Sequence, residues 1–240
     1  MKALVRICFW AICLIAPVAQ GETPQGKALL EQCRQQGLSA LQQADRSSLD
    51  ADDQFALWSL AAQRNWPFAT VQHLLPLDVV GPYGRTIAWP AAQYGRLEWL
   101  KALPSKLLNV MDEQNQTPLM QAAWSGQLAV MQWLATQGAA LDGRNRSGWT
   151  PLHMALFNDQ MDVVAWLLSQ QVPVTGRTQR GWTVITLAIS GGHCDLLPRL
   201  IQAGAPTDVP VQIGTRTYTP QELARALGAD RCSQQLNATR

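Results

Sequence analysis

Thr117-Pro118, Thr150-Pro151 and Thr183-Val184 stand 33 residues apart, and five residues after each threonine comes an alanine: Ala122, Ala155 and Ala188. No other feature of the chain restricts its fold so far. A recurrence of this length makes each copy one small supersecondary unit that cannot bury its apolar face alone. The copies therefore have to stack, and the copies at the two ends have to be atypical. The match extends over whole phrases. NQTPLMQAAWSGQLAVMQWLATQGAAL, GWTPLHMALFNDQMDVVAWLLSQQVPV and GWTVITLAISGGHCDLLPRLIQAGAPTD run through the same order of turn, Thr-Pro-Leu-His or a variant of it, alanine, turn residue and apolar helix. A copy upstream, GRTIAWPAAQYGRLEWLKAL, keeps Ala91-Ala92 and Gly95 but has Thr86-Ile87 for Thr-Pro. A last one, YTPQELARALGADRCSQQL, begins at Thr219-Pro220 and stops after one and a half helices.

Each recurring residue has a physical reason. Proline is tolerated in a first helical turn, where its missing N–H would have had no partner. Small alanines let paired helices approach closely. Gly126 and Gly192 suit a left-handed turn between the helices, and Asp159, which replaces that glycine in the central copy, is strained there if its φ is positive. A 33-residue period carrying Thr-Pro-Leu-His resembles the ankyrin repeat family. The resemblance covers residues 81–236 and implies an all-α ankyrin solenoid of about four to five helix-turn-helix repeats, with short β-hairpin fingers and an N-terminal helical cap. The copies divide at about 84–114, 115–147, 148–180 and 181–214, with a C-terminal capping repeat at 215–236.

Residues 22–80 are less regular. ALLEQCRQQGLSALQQ and DDQFALWSLAAQRNWPFATVQHLL have helical periodicity, and the region reads as the N-terminal helical cap, its second segment, with Leu60-Ala61-Ala62, as a degenerate copy; a separate helical hairpin domain is the alternative. Ahead of them, Lys2 and Arg6 flank the start of an apolar run from Ile7 to Val18 that closes on Ala19-Gln20-Gly21. This is the form of a secretory signal peptide over residues 1–21. A membrane anchor is the alternative, but the run falls short of the ~20 residues a span requires. Removing Lys2 and Arg6 leaves 17 basic residues facing 17 acidic ones and takes the formal charge from +2 to 0. That balance gives no electrostatic basis for nucleic acid or an anionic membrane as partner. Neither membrane insertion after cleavage nor a self-assembled state is expected; the unbound protein is expected to be a periplasmic monomer. With 47% hydrophobic and 15% charged residues the composition is that of a globular chain.

Catalytic chemistry has no motif behind it: the chain carries no nucleophile elbow, phosphate loop or HExxH. His153 and His193 occupy places where the ankyrin pattern itself puts histidine, which leaves His73 as the third. Glu98, Asp162 and Asp195 recur near the start of each second helix, where a carboxylate favours the positive end of the helix dipole. They read as solvated structural acids. No Cys/His spacing suits zinc, so no metal, cofactor or catalytic residue is expected. After the signal, Cys33, Cys194 and Cys232 remain. The ankyrin layout puts Cys194 and Cys232 early in the second helices of adjacent copies, which makes them the candidate disulfide and leaves Cys33 free.

Ten tryptophans in 240 residues is a high count. Trp10 belongs to the signal; Trp58, Trp66, Trp89 and Trp99 read as core. Trp133 and Trp166, late in second helices where the family usually has leucine, read as packing residues too. Trp149 and Trp182 differ, because the residue before Thr-Pro lies on the outward finger in the ankyrin layout. Trp124 and Phe157 point to the same concave surface, Arg146 and Arg180 join that side, and Tyr218 holds the finger position of the last copy. Trp, Tyr and Arg dominate binding hot spots, so these seven residues are the expected contact set for one partner protein. The alternative is that neighbouring fingers stack and hide the indole rings. The resemblance implies a non-catalytic protein-binding module. The partner would be a secreted antibacterial toxin such as a phospholipase, bound by an immunity or accessory protein, or an exported enzyme such as a catalase, bound by a protective companion. An envelope-acting enzyme is the remaining alternative.

Overall fold

The computed structural model describes residues 23–238, so the signal peptide expected at 1–21 lies outside the described residues. Among these residues are fourteen α-helices and one two-stranded sheet. The chain divides into two compact units, one of residues 23–122 with 127–139, the other of 123–126 with 140–238.

The N-terminal unit contains α1 (Pro24–Gln36), α2 (Leu38–Gln43), α3 (Ala51–Gln63), α4 (Phe68–Val71), α5 (Ala88–Gln93), α6 (Leu97–Ala102), most of α7 (Pro118–Trp124) and α8 (Leu128–Thr136). Asp53, fully buried, fastens its start. The Thr23 backbone N–H and hydroxyl donate to the two Asp53 carboxylate oxygens at 3.1 and 2.6 Å, and Asp53 N–H donates to Asp50 in a capping box that opens α3. The core is aromatic, as expected for Trp58, Trp66, Trp89 and Trp99, all of them buried. Trp58 meets Trp99 edge to face at 5.4 Å, and Phe68 lies beside both.

The C-terminal unit contains α9 (Pro151–Phe157), α10 (Met161–Ser169), α11 (Val184–Gly191), α12 (Leu197–Gln202), β1 (Val211–Ile213), β2 (Arg216–Tyr218), α13 (Pro220–Ala226) and α14 (Asp230–Ala238). The first helices α9, α11 and α13 pack side by side in that order. Thr150, Thr183 and Thr219 cap them, each hydroxyl accepting the backbone N–H three residues on. Cys194 and Cys232 are joined in a disulfide with Cα atoms 4.7 Å apart, and Cys33 is free and buried.

One turn geometry recurs throughout both units. The residue between paired helices is left-handed at Asn65, Gly95, Gly126, Asp159, Gly192 and Gly228. The next residue then donates its N–H back to an alanine carbonyl: Trp66 to Ala61, Arg96 to Ala91, Gln127 to Ala122, Gln160 to Ala155, His193 to Ala188 and Ala229 to Ala224, at 2.8 to 3.0 Å. Asp159 has φ 58°, so the strain expected of a non-glycine there is present. The pair α3–α4 uses the same turn, with Asn65 in the glycine's place. The helices α1 and α2 precede this pair. The fingers are less regular than expected. Among the described residues only β1 and β2 form a ladder, with Val211 opposite Tyr218, and isolated bridges close the fingers at Gly81–Arg85 and Arg177–Thr183.

Candidate partner-binding face

The fingers before α7, α9 and α11 are each held by one side chain. Asp112, Asn145 and Thr178, themselves 33 residues apart, each accept the N–H of the residue four places on, at 2.8 to 3.0 Å, and each donates its own N–H to that residue's carbonyl. The sequence carries this signal in its spacing, but the three residue types differ, and only their shared role as short side-chain acceptors reveals it. In the C-terminal unit the fingers are also laced to one another. Gln179 donates its N–H to Ser147 O at 3.0 Å and its side-chain amide to Arg146 O at 2.9 Å; Gln212 N–H donates to Arg180 O at 2.8 Å. Gly181 is needed for this twice over, by its φ of 83° and because a Cβ there would strike the Pro210 carbonyl.

The lacing decides the fate of the finger tryptophans. Trp149 is 3% exposed and Trp182 is 5% exposed, which corrects the expectation that both stand outward. The Trp149 ring folds down over its own first helix, meeting Phe157 edge to face at 5.6 Å and His153 at 6.0 Å. An indole has too much apolar surface to leave on a fingertip when the underlying helix offers two ring faces. Phe157 in turn stacks on Trp124 at 5.7 Å with the planes 18° apart. Three members of the expected aromatic row, Trp124, Phe157 and Trp149, are thus contiguous, but they are layered: Trp124 and Phe157 are half-buried and Trp149 is buried against Phe157, while Trp182 is buried on the next finger. Arg146 and Arg180 are exposed and Tyr218 is half-buried.

The opposite correction applies to Trp133 and Trp166, expected as packing residues. Both are half-buried, and the adjacent Leu134 and Leu167 fill the core position instead. A one-residue step on a helix turns the side chain by about 100°, which moves the large ring to the flank. In the N-terminal unit the large apolar side chains most open to solvent are Val80, Tyr83 and Met111, none of which the repeat pattern marks. Tyr83 is left-handed at φ 63°. Its carbonyl accepts Glu113 N–H at 2.8 Å, and the Arg85 guanidinium lies over its ring and that of Trp89 while pairing with buried Asp112 at 3.1 Å.

His153 is the buried titratable group of the face. Its Nδ1 lies 2.7 Å from the Thr150 hydroxyl, while Nε2 has no hydrogen bond. Burial drives the imidazole from 6.5 down to about 4; the Arg144 charge adds to this, and the backbone groups of Gly176 and Trp182 that face the ring offset part of it. The ring is therefore neutral at ordinary pH, a structural group. His193 instead sits half-buried beside Asp159, 2.8 Å away. Glu98 and Asp162 lie in the first turns of α6 and α10, and Asp195 in a short 3-10 turn. All three are exposed, with Glu98 paired to Lys101 and Asp195 to Arg231. No group of three or more metal-ligating side chains forms among the described residues, and none of their helices is long and apolar enough to cross a membrane.

A family model described as ankyrin repeats (3 copies) matches residues 58–145, 104–177 and 119–213. The chain belongs to the ankyrin repeat family, whose repeats are protein-binding modules, typically without catalytic activity. No curated protein matches it.

Proposed function

We propose that this chain is an exported, non-catalytic binding protein that holds one partner protein on the first-helix face of its C-terminal unit. The observation that carries the reading is the Trp124–Phe157 stack, partly exposed and backed by buried Trp149 against Phe157. Rigid aromatic surface backed by a packed layer provides contact area at little entropic cost, which is the character of a hot spot. Two further observations support export. The leader has the form of a signal peptide, and the Cys194–Cys232 disulfide belongs to an oxidising compartment such as the periplasm. A single aromatic patch suits one-to-one occlusion, so the form we favour is an immunity or accessory protein of a secreted toxin. The test is affinity capture from a periplasmic extract with the mature protein and with its Trp124→Ser variant. One protein retained in equal amount by the wild type and lost from the variant is the expected result. Equal retention by both would remove the face from consideration. Intact mass of the exported form checks the leader, and a mass that keeps Lys2 would refute cleavage.

A further inference from the structure

The fingers of the C-terminal unit carry a charge that the rest of that unit does not share. Arg144, Arg146, Arg177, Arg180 and Arg216 are all exposed on three successive fingers, and none forms an ion pair with a described carboxylate. The exposed acids along the same segments are Asp142 and Asp208. The helices of the unit lean the other way: Asp159, Asp162, Asp195, Glu222 and Asp230 face Arg199, Arg225 and Arg231. In a chain whose formal charge is only +2, five of the fifteen arginines thus fall on these three fingers.

The fingers also fix the backbone at most of these arginines. Arg146 and Arg180 have their carbonyls taken by the next finger, from Gln179 and Gln212 respectively. Arg177 bridges to Thr183, Arg216 pairs with Ile213 in the terminal hairpin, and the Arg144 guanidinium lies against Gly176. Like charges held along one edge repel in the free protein. A surface of opposite sign relieves that repulsion and speeds encounter.

We propose that this arginine edge is a docking strip for an acidic protein surface, so that the partner presents Asp and Glu to the fingers while an apolar group covers Trp124 and Phe157. The inference rests on the protein-binding reading above and adds the partner's chemistry to it. Protein is favoured over a nucleic acid on two observations. The acidic helix side of the unit opposes a long polyanion, and the strip borders an aromatic stack instead of continuing as basic surface. Guanidinium pairs carboxylates through two parallel hydrogen bonds.

The test titrates labelled poly-L-glutamate into the mature protein at low and near-physiological salt, beside double-stranded DNA and phosphatidylglycerol vesicles at equal charge concentration. Poly-L-glutamate should bind tightest and weaken as salt rises. Arg146→Ser/Arg180→Ser should weaken it about tenfold, whereas Arg34→Ser/Arg64→Ser, exposed in the N-terminal unit, should leave it unchanged. Urea midpoints show that both doubles remain folded. Equal loss in the two doubles, no loss in either, or tighter binding of DNA or vesicles overturns the strip. The two readings part cleanly. If the finger double leaves poly-L-glutamate binding intact while Trp124→Ser still releases the captured protein, the strip is wrong and the binding face stands; if Trp124→Ser retains the captured protein, the face itself is wrong.

Discussion

The copies at 148–180 and 181–214 share one layout and fill it with different chemistry. The first has Thr150, Pro151 and buried His153, with non-glycine residues Asp159 and Gln171 in left-handed conformation at φ 58° and 55°. The second has Thr183, Val184 and Thr186 in a closed capping box, and its left-handed positions are Gly192 and Gly204. The second is also bonded to the next copy through Cys194 and Cys232. The central copy therefore keeps its geometry against local preference, held by its neighbours, while the following copy is locally consistent. In a repeat stack the interface terms supply what a single unit lacks, and strain collects where neighbours can hold it.

The largest effects test what the two copies have in common, a buried finger tryptophan. Trp149→Ala should cost about 3 to 5 kcal/mol by opening a cavity under Phe157, and Trp182→Ala should cost a similar amount. Trp166→Ala, from a half-buried flank position, should cost about 1 kcal/mol. Urea unfolding of the three variants ranks them. A Trp166 variant weaker than the Trp149 variant would reverse the layering described above.

Next comes the covalent difference. Reducing the Cys194–Cys232 bond, with a sequence separation of 38, should remove about 2 to 4 kcal/mol by freeing the unfolded chain. The loss should concentrate in the copies after residue 181 and be seen as early hydrogen exchange there. Alkylation gives a second check. Burial pushes the Cys33 thiol up to about 11, so the native oxidised protein should take no label and the unfolded oxidised protein one. Three labels without reductant would exclude the bond.

The His153 position distinguishes the copies by pH. Its folded value near 4 lies below the ordinary 6.5, so between these values the unfolded chain binds a proton that the folded chain refuses. The stabilisation is complete above about pH 6.5 and is lost as pH falls toward about 4, a span of about 3 kcal/mol. His153→Thr, which copies Thr186, should flatten that stretch of the stability profile. If the slope persists in the variant, the titrating group is elsewhere.

Much of this was legible beforehand, and the boundary is physical. The period, the capping threonines and the left-handed glycines are backbone requirements, and such requirements leave fixed residue types at fixed spacing. The same holds for the aromatic row of Trp124, Phe157 and Trp149, which the register alone places together. Side-chain direction leaves no such trace. Nothing in Gly148-Trp149-Thr150 says whether the ring stands out or folds down, because that depends on Phe157 and His153 offering it a surface. The tryptophans at 133 and 166 mislead for a related reason: the pattern identifies a large apolar residue late in the helix, but Leu134 and Leu167, one step away, fit the core better. The finger clamps at Asp112, Asn145 and Thr178 leave no signature of residue type, because three different side chains perform one task.

The smallest expected effect isolates backbone strain from everything else. Gln171 is exposed and left-handed, and the equivalent Gly138 and Gly204 have φ of 83° and 92°. A Cβ built on Gly204 meets nothing within 4 Å, so a side chain there would change only the local backbone preference. Gln171→Gly should relieve a penalty of about 1 kcal/mol, and the added freedom of the unfolded chain takes back about half of it. The net gain is about 0.5 kcal/mol. Gly204→Gln should run the same balance backwards and cost a similar amount. Carried together, the two substitutions move the strain from the central copy to its neighbour at nearly constant total stability. Hydrogen exchange at the turns after α10 and α12 should then trade places. If both single variants are neutral, the left-handed turn is not under strain, and the contrast between the copies reduces to His153 and the disulfide.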